Sequence, residues 1–414
     1  MDSLVDKLKR TKATAITLGN LSDGEKRRAL EAIADAVAKD KQAAQEANRR
    51  DVDAARAASR SAAYLNRLTL TDKVFDLMVE QIRHVATLPD PVGVILERRM
   101  LPNGIELEKR TVPIGVIGII YESRPNVTTD VVALSLRSGN AVVLRGSSSA
   151  LNSNRVLVAS IHRGLEQAGV PKEAVLFLDA ADREVVNDIV QQDAYVDVII
   201  PRGGYELVKK VQAVSRIPVL YHAAGGARIY VDESADLKQA TTICVNAKTT
   251  RPAVCNSLDT VVVHEAVAAT FLPKLVAALS PFQVTVYGDE RARQIISAEK
   301  ATDELYATEF MGLSLSVKVV SGVEEAVAFI GRFTKRHSEG IVAKDRATIN
   351  YFVGNIDAAA VFVNCSTRFH DGGEFGLGAE MGIATGKLHA RGPVGLKELT
   401  TYQWVAYGDG QIRT

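Results

Sequence analysis

Cys255 is the nucleophile candidate in this sequence, set in Arg251-Pro252-Ala253-Val254-Cys255-Asn256-Ser257 just before the apolar run Leu258–His264. A lone cysteine commonly serves as a small buried hydrophobe. The polar flanks Thr249, Thr250, Arg251, Asn256 and Ser257 argue instead for a loop edge, and a neighbouring arginine favours the thiolate. Cys244, inside TTICVNA, and Cys365, closing VFVNC, read as structural. Three cysteines without C-x-x-C pairing give neither a disulfide framework nor a zinc site, and a reducing compartment fits best. Asn126 follows Tyr121-Glu122-Ser123-Arg124-Pro125 at the carboxyl end of an apolar run. An asparagine beside a proline is a turn residue, or its amide meets a ligand at that strand end. There is no P-loop and no H-E-x-x-H, and the seven histidines are scattered, so the expectation is no metal. The glycine run 376–382 (GLGAEMG) is spaced one residue too long for a dinucleotide fingerprint and opens no βα unit. It reads as a glycine-rich loop.

These residues need a scaffold, and the apolar pattern supplies one. Runs at 114–121 (IGVIGIIY), 141–144 (AVVL), 175–178 (VLFL), 196–200 (VDVII) and 218–221 (PVLY) alternate with helical patterns at 152–169, 182–192 and Tyr205–Val214. Strands without polar alternation, separated by helices, predict a parallel sheet covered on both faces, with ligands beyond the carboxyl ends of its strands. The pattern repeats with strands expected at Ala227–Val231, Leu258–His264, 284–287, 313–320, 340–343 and 359–364, which predicts a second α/β domain from about residue 232. Segments such as 24–39 in the first ninety residues carry apolar side chains at helical spacing, with charges of both signs interleaved, and read as solvated helices. Residues 98–113 read as a hairpin turning at Pro102-Asn103-Gly104, serving either a subunit contact or a plain surface.

The whole composition excludes further classes. Of 414 residues, 47% are hydrophobic and 24% charged, which is globular and not disordered. Fifty Lys and Arg against 49 Asp and Glu leave a formal charge of +1, with no electrostatic footprint for nucleic acid or an anionic membrane. Any anion must be gripped locally. The amino-terminal MDSLVDKLKR has no apolar signal core, and no stretch is expected to span a bilayer, so a cytoplasmic location is expected.

Taken together, the blocks 113–126 (PIGVIGIIYESRPN), 139–148 (GNAVVLRGSS), 201–204 (PRGG), 248–258 (KTTRPAVCNSL) and 363–395 (VNCSTRFHDGGEFGLGAEMGIATGKLHARGPVG) resemble the aldehyde dehydrogenase superfamily and, within it, the γ-glutamyl phosphate reductases. The resemblance covers nearly the whole chain. It implies an α/β fold of two doubly wound parallel-sheet domains plus a small β-hairpin oligomerisation element. Residues 1–97, 114–231 and 366–390 would bind NADPH, 232–365 would carry the nucleophile, and 98–113 with 391–414 would form the oligomerisation element.

By the same resemblance, Cys255 attacks L-glutamyl 5-phosphate to form a thioester, and NADPH reduces it to L-glutamate 5-semialdehyde, the second step of proline biosynthesis. Asn126 supplies the oxyanion hole together with the Cys255 backbone N–H. Arg145 stands where the superfamily carries a lysine near the adenosine ribose, and Ser148 replaces the glutamate that favours NAD. With Ser147 beside them, that exchange admits a 2′-phosphate. Gly203 and Gly204 match a loop near the pyrophosphate, or merely cap a helix. Glu309 aligns with a glutamate that bonds the nicotinamide ribose. Arg124, Arg251, His337, Arg368 and Arg391 are candidate grips for phosphate or α-carboxylate, each with an ion-paired or solvated alternative, and Arg368 is preferred. Hydrolytic members carry a glutamate opening an E-L-G-G block, where this chain has Ala223-Ala224-Gly225-Gly226. A phosphate-independent aldehyde dehydrogenase is therefore the weaker alternative. Glutamate 5-kinase is implied as a channelling partner, and a homo-oligomer as the assembly.

Overall fold

The computed structural model describes residues 3–179, 184–221 and 224–413, with the backbone alone for Ala63, Glu184 and Val185. A four-stranded parallel sheet runs in the order Val175–Phe177, Ala141–Arg145, Val116–Tyr121, Val198–Arg202. Every residue of its two middle strands is buried, as expected of strands with helices on both faces. The crossovers Asn126–Arg137, Leu151–Gln167 and Tyr205–Val214 lie where the sequence pattern puts helices. The run at 218–221 forms only a single bridge, Val219 to Ile199. Pro218 has no N–H to give a ladder, so a longer strand is disfavoured there. In the expected helix 182–192, Asp182 lies outside the described residues, and Glu184–Ile189 is helical.

Four amino-terminal helices, Leu4–Gly19, Asp23–Lys39, Lys41–Ala57 and Asp72–Thr87, add Leu8, Leu30, Ile33, Ala44, Phe75 and Ile82 to the core of this sheet. Their starts are set by local chemistry. Ser3 and Thr71 accept backbone N–H bonds, and Ser22 with Glu25 closes a capping box.

The second sheet has seven parallel strands in the order Glu299–Lys300, Thr285–Gly288, Ser314–Val320, Leu258–His264, Ala227–Val231, Ser338–Val342, Ala360–Val363. Ala227–Val231 lies inside it, hydrogen-bonded to a neighbour on each side. The second α/β unit therefore begins before Ala227, and a boundary at 231/232 cuts off one of its central strands. The stretch Glu265–Phe282 has the length and composition of a membrane span, contrary to the expectation from the sequence. Its helix Glu265–Leu279 buries Phe271, Leu272, Leu275 and Leu279 in the core of this sheet.

The hairpin forms from Ile95–Met100 and Glu106–Pro113, with Gly104 at φ +83° in its turn. Thr400–Tyr407 adds a third antiparallel strand. This small sheet exposes Ile95, Leu96, Met100, Tyr402, Trp404 and Tyr407.

Candidate active site

Cys255 lies in the link between the helix Leu237–Thr249 and the strand Leu258–His264. It therefore stands at the amino end of the second sheet, not at the carboxyl ends that the strand pattern favours for ligands. The loop is tied down on both sides. Gly226 N–H donates to the Cys255 carbonyl, and Ser257 N–H donates to the Val254 carbonyl at 3.0 Å. The Asn256 amide donates to the carbonyls of Arg368 and His370 at 3.3 and 3.1 Å, and Thr367 Oγ1 donates to the Asn256 carbonyl at 2.9 Å. The Cys255 loop and the turn Thr367–Phe369 are thus hydrogen-bonded to one another.

Gly225 packs between Cys255 and Glu309. A Cβ there would stand 2.4 Å from Cys255 Cα and 2.5 Å from Glu309 Oε1, so only glycine fits. Glu309 Oε2 accepts the Gly225 N–H at 2.9 Å. Ala223, the position that distinguishes hydrolytic relatives, lies outside the described residues. Burial pushes the Cys255 thiol up to about 11, with the charges of Glu309 and Glu380 adding to the rise and Arg202 opposing it. The opposing cation is Arg202 rather than the sequence neighbour Arg251.

Four arginines surround this loop: Arg124, Arg202 and Arg368 within electrostatic reach of Cys255, and Arg251 within reach of Arg368. Arg202 ends the strand Val198–Arg202 of the first sheet, and its guanidinium lies against Gly382 (φ +148°), where a Cβ would come within 2.3 Å of Nη1. Arg124 is in its field: the Arg124 pKa is held down first by desolvation and then by the charge of Arg202. Arg368 is likewise lowered by burial and by Arg251, and its Nε is buried without a partner. Cys255 acts electrostatically on Arg124, Arg202 and Arg368 alike. Among the described residues, none of the four guanidiniums makes a hydrogen bond or an ion pair. The structure thus brings together Arg124, Arg251 and Arg368 from the sequence candidates and adds Arg202, Glu380 and Asp130. Arg202 was visible only as part of PRGG, a block noticed for its glycines.

Two candidates do not join them. His337 is fully buried, and its Nδ1 shares the Ser338 hydroxyl, at 2.7 Å, with His370 Nδ1 at 2.8 Å. The two rings pack edge to face at 4.7 Å. His337 therefore steadies the turn that carries Arg368 and does not offer itself to a ligand. Arg391 donates to Asp357 at 2.6 Å, and Lys387 meets the same carboxylate at 3.0 Å. Its charge is already matched.

Asn126 is the first residue of the helix Asn126–Arg137, and its amide donates to Asp130 Oδ2 at 3.2 Å. Burial pushes the Asp130 carboxyl up to about 6, against the opposing pull of Asn126 and Arg202. The remaining candidates line the carboxyl ends of the first sheet. Arg145 is buried at the end of Ala141–Arg145, where its Nη1 donates to the Gly146 carbonyl at 3.1 Å. Ser147 Oγ shares a hydrogen bond with Ser149 Oγ at 2.7 Å, and Ser148 is exposed. Gly203 and Gly204 open the helix Tyr205–Val214, and Gly204 N–H donates to Glu122 Oε2 at 2.9 Å. Glu122 thus caps this helix, which favours the capping role for the two glycines. The strand ends still suit a nicotinamide dinucleotide: a buried arginine and exposed hydroxyls stand together, with no carboxylate between 145 and 150.

The sequence profile of the aldehyde dehydrogenase family matches residues 5–297. A γ-glutamyl phosphate reductase from Dictyoglomus thermophilum is 45% identical over 414 residues, covering 100% of both chains. One from Thermobifida fusca is 47% identical over 405 residues, 98% of this chain and 97% of the other. The crystal structure of γ-glutamyl phosphate reductase from Thermotoga maritima superposes with a TM-score of 0.98 at 42% identity, covering 100% of both chains.

Proposed function

The chain belongs to the aldehyde dehydrogenase family and, within it, to the γ-glutamyl phosphate reductases, and we propose that it reduces L-glutamyl 5-phosphate to L-glutamate 5-semialdehyde and phosphate through a thioester on Cys255, using NADPH. The observation that carries this reading is the half-buried Cys255 thiol with unpaired guanidiniums around it, an arrangement suited to an acyl group with anionic ends.

In the biosynthetic direction Sγ attacks the acyl carbon, the C–S bond forms and the C–O bond to phosphate breaks. The thiol proton leaves on the departing phosphate as HPO4²⁻, so the exchange balances without an external base. Sulfur conjugates weakly with the carbonyl, and the thioester carbon remains electrophilic. When bound, a nicotinamide cofactor would supply hydride to this carbon; the C–S bond then breaks, the aldehyde departs and the released thiolate takes a proton from solvent. Negative charge on the carbonyl oxygen is met by the Asn126 amide and the Cys255 N–H. Asp130 orients that amide by accepting its other hydrogen.

The preference for NADPH rests on Arg145, Ser147 and Ser148, where no carboxylate repels a 2′-phosphate. Glu309 is placed in this reading at the nicotinamide ribose, next to Gly225 and Cys255. The first sheet serves the cofactor and the second the nucleophile. The exposed apolar face of the three-stranded sheet serves a homo-oligomer. Glutamate 5-kinase is the proposed channelling partner, and the cytoplasm the proposed setting, in keeping with three free cysteines.

The test runs the reaction backwards. Pyrroline-5-carboxylate, as the source of semialdehyde, is supplied with NADP⁺, and NADPH formation is followed with and without phosphate, alongside Cys255→Ala. Phosphate-dependent turnover that disappears in the variant is expected. Phosphate-independent turnover would mean that water releases the acyl group, and would overturn the reading in favour of a hydrolytic dehydrogenase.

A further inference from the structure

The helix Ala62–Leu68 brings a tyrosine from the amino-terminal part of the chain to the loop that follows the strand Ala141–Arg145. Ser61 accepts the Tyr64 N–H at 3.3 Å and starts that helix. The Tyr64 ring packs on the buried cluster of Val52, Ala55, Leu68 and Ala150. Its hydroxyl donates to Ser149 Oγ at 2.7 Å, and Ser149 Oγ stands 2.7 Å from Ser147 Oγ. Ser147 Oγ also accepts the Ser149 backbone N–H at 3.3 Å. Each of the three hydroxyls carries one hydrogen. Three hydrogens serve two bonds, so one is left over on the serines, and it has no acceptor among the described residues. Beside this chain, the exposed Arg60 lays its guanidinium over the Tyr64 ring at 5.3 Å, and it makes no ion pair among the described residues. The carboxylates on the neighbouring elements are already engaged. Asp51 accepts the Ser153 N–H and hydroxyl at 2.8 and 2.6 Å, Asp53 meets Arg56 at 3.1 Å, and Asp179 meets Arg155 at 2.9 Å.

We propose that this patch of the amino-terminal helices reads the 2′-phosphate of the cofactor: the spare serine hydrogen donates to it, Arg60 matches its charge, and Tyr64 is the positioning residue that holds the serines. This rests on the NADPH reading above. A 2′-phosphate is an anionic acceptor with no hydrogen to give, and a spare hydroxyl hydrogen beside an unpaired guanidinium is its complement. A ribose 2′-hydroxyl carries no charge and gains little from Arg60. Tyr64 acts through Ser149. By filling a lone pair on Ser149 Oγ it fixes that hydroxyl and polarises the chain toward donation at its open end. The packing of its ring against Ala150 fixes the helix on the loop, so the chain is built before any ligand arrives.

The experiment measures binding of 2′,5′-ADP and of 5′-AMP by calorimetry, without substrate or turnover, in wild type, Arg60→Met and Tyr64→Phe. The wild type should prefer 2′,5′-ADP. Loss of the charge in Arg60→Met is expected to weaken 2′,5′-ADP about tenfold, and loss of the hydroxyl in Tyr64→Phe about threefold. In both variants 5′-AMP should stay within about twofold of wild type. Ser147→Ala should also weaken 2′,5′-ADP, and adding Tyr64→Phe to it should cost little more, because the tyrosine works through the serines. Phenylalanine keeps the packed ring; should Tyr64→Phe nevertheless fail to fold, as judged by its melting curve, the exposed Arg60 still decides the matter. A wild type that prefers 2′,5′-ADP while either variant keeps that preference in full overturns the patch and leaves the NADPH reading intact. A loss shared equally by 5′-AMP makes the two residues supports of the loop and overturns the patch as well. A wild type that binds both nucleotides alike overturns the NADPH reading and the patch with it.

Discussion

The cations under the second sheet and the cations around Cys255 are partnered under opposite rules. In the core, Arg228 meets Glu339 at 3.4 Å and donates to the Tyr306 and Phe333 carbonyls, while Lys248 meets Asp259 at 3.4 Å. Burial still pushes Glu339 up to about 7 in spite of Arg228. Around Cys255, Arg124, Arg202, Arg251 and Arg368 have no such carboxylate or carbonyl partners among the described residues. Desolvating a cation without an anion is costly. Arg202 and Arg368 are half-buried without such a partner, beside the exposed Arg124 and Arg251, and that gathering of unmatched cations suits an anion from outside the chain. Paired burial marks scaffold, and unpaired cations mark the proposed site.

The largest test of this contrast is on stability. Arg228→Met strands the Glu339 carboxylate and should cost about 3–5 kcal/mol in a urea titration. Arg368→Met removes an unpaired cation and should change stability by less than about 1 kcal/mol, or raise it. Equal losses in the two variants would remove the distinction between scaffold and site.

Next in size is an effect on rate alone. Asn126→Ala deletes one donor to the carbonyl oxygen and should lower kcat about 10²–10³-fold. The affinity for NADPH, read by its fluorescence, should stay nearly intact. Unchanged turnover would take Asn126 out of the site and leave its bond to Asp130 as a helix-start contact only.

The same contrast explains what could be read before the structure. Val116–Tyr121 announces a doubly covered strand because apolar burial is local and periodic. The hairpin shows in its turn residues for the same reason. Ala227–Val231 is equally legible as a strand, but which sheet it joins depends on pairing with Leu258–His264 and Ser338–Val342, and no local pattern encodes that. Cys255, the proposed nucleophile, and three arginines are named by the motifs that contain them. Whether an arginine is free is a long-range fact: Arg391 looks like Arg368 in sequence until Asp357, well upstream, is brought against it. Arg202 was missed because its setting against Gly382 depends on a loop from the far end of the chain. The burial of His337 is equally long-range, since it depends on the packing of Ser338 and His370.

The turn that carries Arg368 gives a pH test of similar size to a buried pair. Burial holds His370 down to about 4 from its ordinary 6.5. Between those values the unfolded chain binds more protons than the folded one, so stability rises with pH there. The contribution is present in full above about 6.5 and is lost as pH falls toward 4, at most about 3 kcal/mol. Unfolding titrations of wild type and His370→Gln at several pH values should show a steeper acid loss in wild type. Parallel curves would mean that the ring takes up its proton without leaving the Ser338 bond.

The smallest expected effect isolates the anionic side of the cleft. Glu309 is the first of the two carboxylates that raise the Cys255 thiol, and its Oε2 accepts the Gly225 N–H at 2.9 Å. Glu309→Gln keeps that bond through the amide oxygen and removes the charge. The thiol pKa should therefore fall from about 11, increasing the thiolate fraction at any pH well below that value. A lower pKa also makes the thiolate a weaker nucleophile, which offsets about half of the gain on a logarithmic scale. Alkylation of Cys255 at neutral pH should accordingly quicken by roughly two- to threefold. Arg202→Met removes a charge of the opposite sign and should slow the same reaction. If both substitutions slow it, packing rather than charge governs the sulfur, and the electrostatic account of the cleft fails at its centre.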